Sequence, residues 1–155
     1  VRDSLDALDN KRLNKQILET YQILNVLSGQ TKSNAWRNHP AVLMWEGAEE
    51  ELWRYGMTAI KLADLRGIKT DSNLANFKKL SKKAAHLWGK DDPMWKQNPT
   101  TVKRVITTHK ANLYRKDPVY YAEFQSAVND KYNKPCCEGC NYYWPTHPLT
   151  KTKSK

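Results

Sequence analysis

The chain has 155 residues, with 26 Lys or Arg against 16 Asp or Glu, a formal net charge of +10 and an isoelectric point near 9.5. That length suits one ordinary domain, and the charge favours a polyanionic partner such as nucleic acid. Mean hydropathy is −0.82, and no apolar run approaches the roughly 20 residues needed to cross a bilayer, which argues against a membrane protein.

No apolar signal core follows the start Val1-Arg2-Asp3-Ser4, so a cytoplasmic protein is expected. From Leu8 to Leu27 the apolar positions Leu13, Ile17, Tyr21 and Leu24 recur at helical spacing. At about 100° per residue, Arg12, Lys15, Gln16, Glu19 and Gln22 fall in a different arc, so the helix separates an apolar face from a basic one that bears a single acid. Asn38-His39-Pro40 reads as a helix start, with Pro at the first helical position. Met44, Ala48, Leu52, Tyr55, Ala59 and Leu62 then predict one long helix running to Arg66-Gly67. Asp71-Ser72 offers an N-cap for a third helix carrying Leu74, Phe77, Leu80, Ala84 and Leu87 inward and ending near Gly89.

Residues 90–99 read as a loop. A fourth helix carries Val102, Val105, Ile106, His109 and Leu113 on one side, and Asp117-Pro118 opens a fifth with Tyr121, Phe124 and Val128 inward. No segment sustains a period of two, so the expected fold is all-α: a compact single-domain bundle of about five helices over residues 1–145, followed by a basic flexible tail over 146–155. That tail holds Lys151, Lys153 and Lys155.

Glu19 is the most informative acid, because a carboxylate on a basic face adds nothing to phosphate binding. An ion pair with Lys15 at i, i+4 is the commoner explanation, worth only about 0.3 kcal/mol. Arg12, Lys32, Arg37, Arg54, Lys61, Lys110, Arg115 and Lys116 are spread over several elements and would supply the salt-dependent phosphate part of affinity if packing brings them to one surface. Of six Trp and eight Tyr, Tyr21, Tyr55 and Tyr121 sit on core stripes. Trp36, Tyr142, Tyr143 and Trp144 instead lie in loops, where a ring can stack on an unstacked base or cap the core. His39 precedes a helix start, where the dipole favours an anion, and His109 lies on a helix; capping and core packing are the plainer readings of the two.

Cys136, Cys137 and Cys140 are odd in number and clustered, which does not resemble a disulfide framework and suits a reducing compartment. Cys137-Glu138-Gly139-Cys140 is a CxxC knuckle, and Cys136 with His147 would complete a weak zinc candidate that lacks the usual second pair. No metal is otherwise expected. The absence of a Gly-rich phosphate loop, an HExxH motif or paired metal-binding carboxylates argues against a nucleotide hydrolase or a metal-dependent nuclease.

Four segments, Leu8-Asp9-Asn10-Lys11-Arg12-Leu13-Asn14-Lys15-Gln16-Ile17-Leu18-Glu19, Trp36-Arg37-Asn38-His39-Pro40-Ala41-Val42, residues 109–121 and Tyr143-Trp144-Pro145, together resemble the pyrimidine-dimer DNA glycosylases of the phage endonuclease V type and their phage and bacterial relatives. The resemblance runs from about Leu5 to Pro145. It implies a helical enzyme that excises one base of a UV-induced dimer and then nicks the abasic strand. The chain's α-amino group would attack the sugar C1′ to form an imine, and a glutamate matching Glu19 would assist and support β-elimination. An α-amino group with a reference pKa of about 7.7–8.0 is partly unprotonated at neutral pH, as such attack requires.

The DNA-contacting residues expected from the basic and aromatic positions and this resemblance are Arg12, Lys15, Gln22, Lys32, Trp36, Arg37, His39, His109, Lys110, Arg115, Lys116, Tyr143 and Trp144. The expected partner is double-stranded DNA carrying a damaged or modified base, bound by a monomer with no cofactor. Three departures stand out: a curtailed segment ahead of the first helix, so that Val1 need not be the nucleophile; the Cys136–Cys140 insert; and Gln22 in place of an arginine of the phage prototype. The alternatives are a non-catalytic DNA-binding phage accessory protein on the same scaffold and a zinc-knuckle interaction module.

Overall fold

The computed structural model describes residues 2–33 and 35–145. Among them there is no strand; the expected all-α class is the fold, and five of its helices are seven residues or longer. The expected tail over 146–155, His147 included, lies outside the described residues. Among the described residues no helix is long and apolar enough to cross a membrane. The described residues form two compact units, one from residues 2–33, 35–38 and 45–92, the other from 39–44 and 93–145.

The first unit contains α1 (Arg2–Asp6), α2 (Asn10–Leu27), α4 (Glu49–Leu65) and α5 (Asp71–Ala84). The apolar stripe of α2 is buried as its spacing predicts, with Leu13, Ile17 and Leu24 fully covered by Leu52, Ala59, Ala63 and Phe77 of the other helices. Gly56 lets α2, α4 and α5 meet closely: a Cβ there would clash with the Phe77 ring and lie 2.9 Å from Thr20 Cγ2. Arg66, at the end of α4, donates to the Leu8 carbonyl at 2.6 Å and the Asp6 carbonyl at 2.9 Å, tying down the corner between α1 and α2. Buried Trp88 donates to the Ser28 hydroxyl at 2.8 Å, and Trp53 to the Phe77 carbonyl at 3.1 Å.

The second unit is organised by α6 (Pro99–Lys116), with α3 (Pro40–Leu43) and 3₁₀ segments at Met94–Gln97 and Ala122–Asn129. The Asn98 side chain caps α6 by accepting from Thr100 N and Thr101 N, and Pro99 takes the first turn, where no amide donor is needed. Tyr121 is fully buried beside Phe124, their ring centroids 5.8 Å apart.

Several expectations are corrected. The long helix predicted through Met44 and Ala48 is two, because Gly47 takes a left-handed φ of 84° that breaks the helical path. The chain restarts at Glu49, where Glu50 N donates to the Gly89 carbonyl at 3.2 Å and Gly89 N to Glu49 Oε2 at 3.0 Å, so Gly89 serves the new helix end. The cap of α5 is Thr70 rather than Asp71-Ser72. Beyond α5 a 3₁₀ turn over Ala85–Leu87 changes the period, so Leu87 is 64% exposed and Trp88 is buried in its stead. Ile106 of α6 is likewise 43% exposed rather than inward. The predicted fifth helix is a 3₁₀ run, its approach set by Asp117, whose Oδ1 accepts from Tyr120 N at 3.0 Å.

Replacing Gly56 by Ala tests the close approach. Ala gains about 1 kcal/mol of helix propensity, whereas overpacking a filled core costs about 1–3 kcal/mol. The expected outcome is net destabilisation, seen as a melting temperature lowered by a few degrees, about 2–4 °C per kcal/mol for a chain of this size; a rise would show the site to be open.

Candidate functional site

In the first unit the polar face of α2 forms as the helical arc predicts. Glu19 is about half exposed, and its Oε1 lies 3.7 Å from Lys15 Nζ, the i, i+4 pair expected from spacing. The phenol of Tyr55, on α4, hydrogen-bonds with the Gln16 side chain and feels the charge of Glu19. Burial above all, with Glu19 adding to it, pushes its pKa up to about 12 although Gln16 opposes the shift. Tyr55 is therefore a protonated hydroxyl at neutral pH, able to donate a hydrogen bond but unable to serve as a base. The sequence assigned Tyr55 to the core stripe; its ring is there, and only its hydroxyl end reaches the polar face.

The other expected residues of this unit are held differently. Arg12 Nη1 sits 3.2 Å from Asp9 Oδ2 ahead of α2, and Arg37 Nη2 sits 2.6 Å from Glu46 Oε1. Gln22 is exposed on α2, while Lys32 and Trp36 are exposed on the chain beyond its C-terminal end, Trp36 to 63%.

In the second unit, His39, His109, Tyr142 and Trp144 converge. The His109 ring lies 4.8 Å from Tyr142 and 5.7 Å from Trp144, edge-on to the latter at 90°. His39 approaches Trp144 at 6.2 Å, and Tyr142 and Trp144 are 5.5 Å apart. His39 caps α3, its Nδ1 accepting from Ala41 N at 3.1 Å, so the side chain itself takes the place at the helix start where an anion was considered. Lys116 Nζ donates to the Tyr142 hydroxyl at 3.1 Å.

The segment over 133–145 is fastened to one face of α6. Arg104 donates to the Lys134 carbonyl at 2.8 Å, buried Thr108 Oγ1 accepts from Tyr143 N at 3.1 Å, and Asn112 Nδ2 donates to the Asn141 carbonyl at 2.6 Å. Arg104 also lies over the Tyr143 ring at 3.8 Å, and Arg115 braces Asn112 with a 3.0 Å bond to its Oδ1. Lys110 points elsewhere, 5.3 Å over the Phe124 ring. Arg104, Thr108 and Asn112 escaped the sequence reading; their i, i+4, i+8 spacing is the one signal that marks them as a single face.

The cysteines differ from expectation. Cys137 and Cys140 form a disulfide across a turn whose third residue, Gly139, has φ of 81°, and Cys136 remains a thiol. Clustering and odd number spoke against a framework of disulfides, but a CxxC turn bonds locally without one.

His109 Nδ1 lies 2.7 Å from the Val105 carbonyl, which can only accept, so Nδ1 carries the proton. Burial, reinforced by the charge of Lys116 and opposed by that backbone bond, lowers the His109 pKa below its ordinary 6.5. The ring is therefore neutral at physiological pH, with a lone pair on Nε2. Because the fold prefers the neutral ring, the stability it contributes is complete above about pH 6.5 and is lost as pH falls below that toward the lowered folded value. Melting curves between pH 8 and pH 5 should fall more steeply for the wild type than for His109→Gln; parallel curves would contradict this.

Among models of protein families, one described as pyrimidine dimer DNA glycosylase matches residues 1–76. No curated protein and no solved structure matches the chain.

Proposed function

We propose, from the premise that over residues 1–76 the chain belongs to the pyrimidine dimer DNA glycosylase family, that it is a DNA repair glycosylase with AP-lyase activity on pyrimidine dimers or a related modified base. The observation that carries this reading is Glu19. It lies in the family-matched segment on a basic face, half exposed and beside a phenol that stays protonated.

The reaction asks for two things from such a face. An amine at the N-terminal end of the chain attacks C1′ of the damaged nucleotide, the glycosidic bond breaks with its electron pair leaving on the base, and an imine forms. A carboxylate then takes the C2′ proton, and the 3′ phosphate departs by β-elimination. Glu19 is our candidate for that carboxylate, and for steadying the cationic imine before it. Lys15 keeps it oriented, while Tyr55, hydrogen-bonded with Gln16, contributes a group that does not compete for the proton. Arg12, Lys15, Gln22, Lys32, Trp36 and Arg37 of the first unit, and His39, His109, Lys110, Arg115, Lys116, Tyr143 and Trp144 of the second, are our candidates for holding a damaged duplex, with the protein acting as a monomer and without a cofactor.

A second reading is a non-catalytic DNA-binding accessory protein, favoured by the Lys15–Glu19 pair, which accounts for the glutamate without chemistry. The two readings part on covalent trapping. Borohydride added during incubation with dimer-containing or abasic duplex should yield a stable protein–DNA adduct, and Glu19→Gln should lower strand cleavage by about 100-fold or more, the usual scale of a lost general base. DNA affinity should change little. Absence of an adduct, with Glu19→Gln indistinguishable from wild type, overturns the enzyme reading and leaves the binding protein.

A further inference from the structure

The disulfide accounts for two of the three clustered cysteines and leaves Cys136 unexplained. The sulfurs of Cys136, Cys137 and Cys140 all lie within 4.8 Å of one another. In a tetrahedral zinc site with Zn–S of about 2.3 Å, thiolate sulfurs are about 3.8 Å apart, so small side-chain rotations suffice to bring three of them to one ion. The backbone is already turned there: Cys140 N donates to the Cys137 carbonyl at 3.2 Å, and Gly139 between them takes the left-handed conformation. Cys136 is drawn to the same place by its N–H, which donates to the Tyr142 carbonyl at 3.3 Å.

The surroundings supply a reason for a metal. Residues 130–145 have no regular secondary structure, and a short segment with little core gains order chiefly from cross-links or metals. A disulfide between residues three apart closes only a tiny loop and restrains the rest little.

We propose that, in the reduced protein, Cys136, Cys137 and Cys140 hold one zinc ion as thiolates and thereby add to the hold that Arg104, Thr108 and Asn112 already have on the Tyr142–Trp144 segment. A thiol or phosphine reductant first delivers two electrons to the Cys137–Cys140 bond and is itself oxidised, giving two thiols. Zinc then displaces three thiol protons to solvent. Solvent water supplies the fourth donor.

The test uses the full chain, reduced with a phosphine under anaerobic conditions and shown by thiol titration to carry three free thiols. After incubation with zinc and removal of the excess, elemental analysis should find about one zinc per chain. Cadmium should give thiolate-to-metal charge-transfer absorption. Cys136→Ser should weaken zinc binding at least 10-fold. Because that variant can fail to fold, alkylation of the wild type read by mass spectrometry provides an independent arm: bound zinc should shield all three thiols. Fully reduced protein that retains no zinc, shielding of two thiols or fewer, or wild-type affinity in folded Cys136→Ser would each overturn the proposal. None of these readouts depends on glycosylase activity.

Discussion

The close crossing of α2 and α4 at Gly56 is the constraint on which the first unit depends. With no side chain at that position, Thr20 of α2 and Phe77 of α5 close onto the α4 backbone. Glu19 and Tyr55 are the immediate chain neighbours of Thr20 and Gly56. The contact that buries Thr20 therefore also brings the carboxylate within electrostatic reach of the phenol and sets Gln16 on that phenol. A larger residue at position 56 would spread the helices, and the polar group would loosen with the core. Core packing and the polar group on the surface of α2 and α4 are thus one arrangement.

The second unit meets a different constraint. Its last described stretch has no helix or strand to satisfy backbone donors and acceptors, and such groups are costly when covered and unpaired. Three α6 side chains one turn apart supply the partners: Arg104 for two carbonyls, Thr108 for an amide and Asn112 for a carbonyl. Thr108 and Asn112 are buried for this purpose, against the usual preference of their types for the surface. These bonds set Tyr142, Tyr143 and Trp144 in a fixed order along the helix, with His109 packed into the same group.

Wherever one period persisted, the sequence was legible. The stripe of α2, the polar arc holding Glu19 and the α6 stripe apart from exposed Ile106 are visible as spacing, and they are formed. Most of the other failures fall where the period changes over a few residues. Gly47 interrupts a stripe whose two halves happen to stay in phase, and the 3₁₀ segments after Ala84 and Tyr121 rotate the buried side, exposing Leu87. Tyr55 was hidden for another reason: one residue serves the core with its ring and the site with its hydroxyl, and a pattern of apolar positions registers only the ring. The Arg104, Thr108 and Asn112 series was hidden because its partner has no pattern at all.

Charge separates the two units more sharply than composition suggests. In the first, three of the four expected DNA-contacting cations, Arg12, Lys15 and Arg37, meet a carboxylate, from Asp9, Glu19 and Glu46. In the second, Lys110, Arg115 and Lys116 are oriented by neutral groups: a phenyl ring, an amide oxygen and a phenol. A neutral partner holds a cation in place without cancelling its field, whereas an ion pair must first be broken, or its acid displaced, before a phosphate is bound. Counterion release, which governs the salt dependence of DNA affinity, depends on the cations that phosphates can neutralise. If the chain holds DNA as we propose, the salt-dependent part of that affinity falls mainly to the end of α6, while Lys15 is engaged with Glu19 and Arg12 with Asp9.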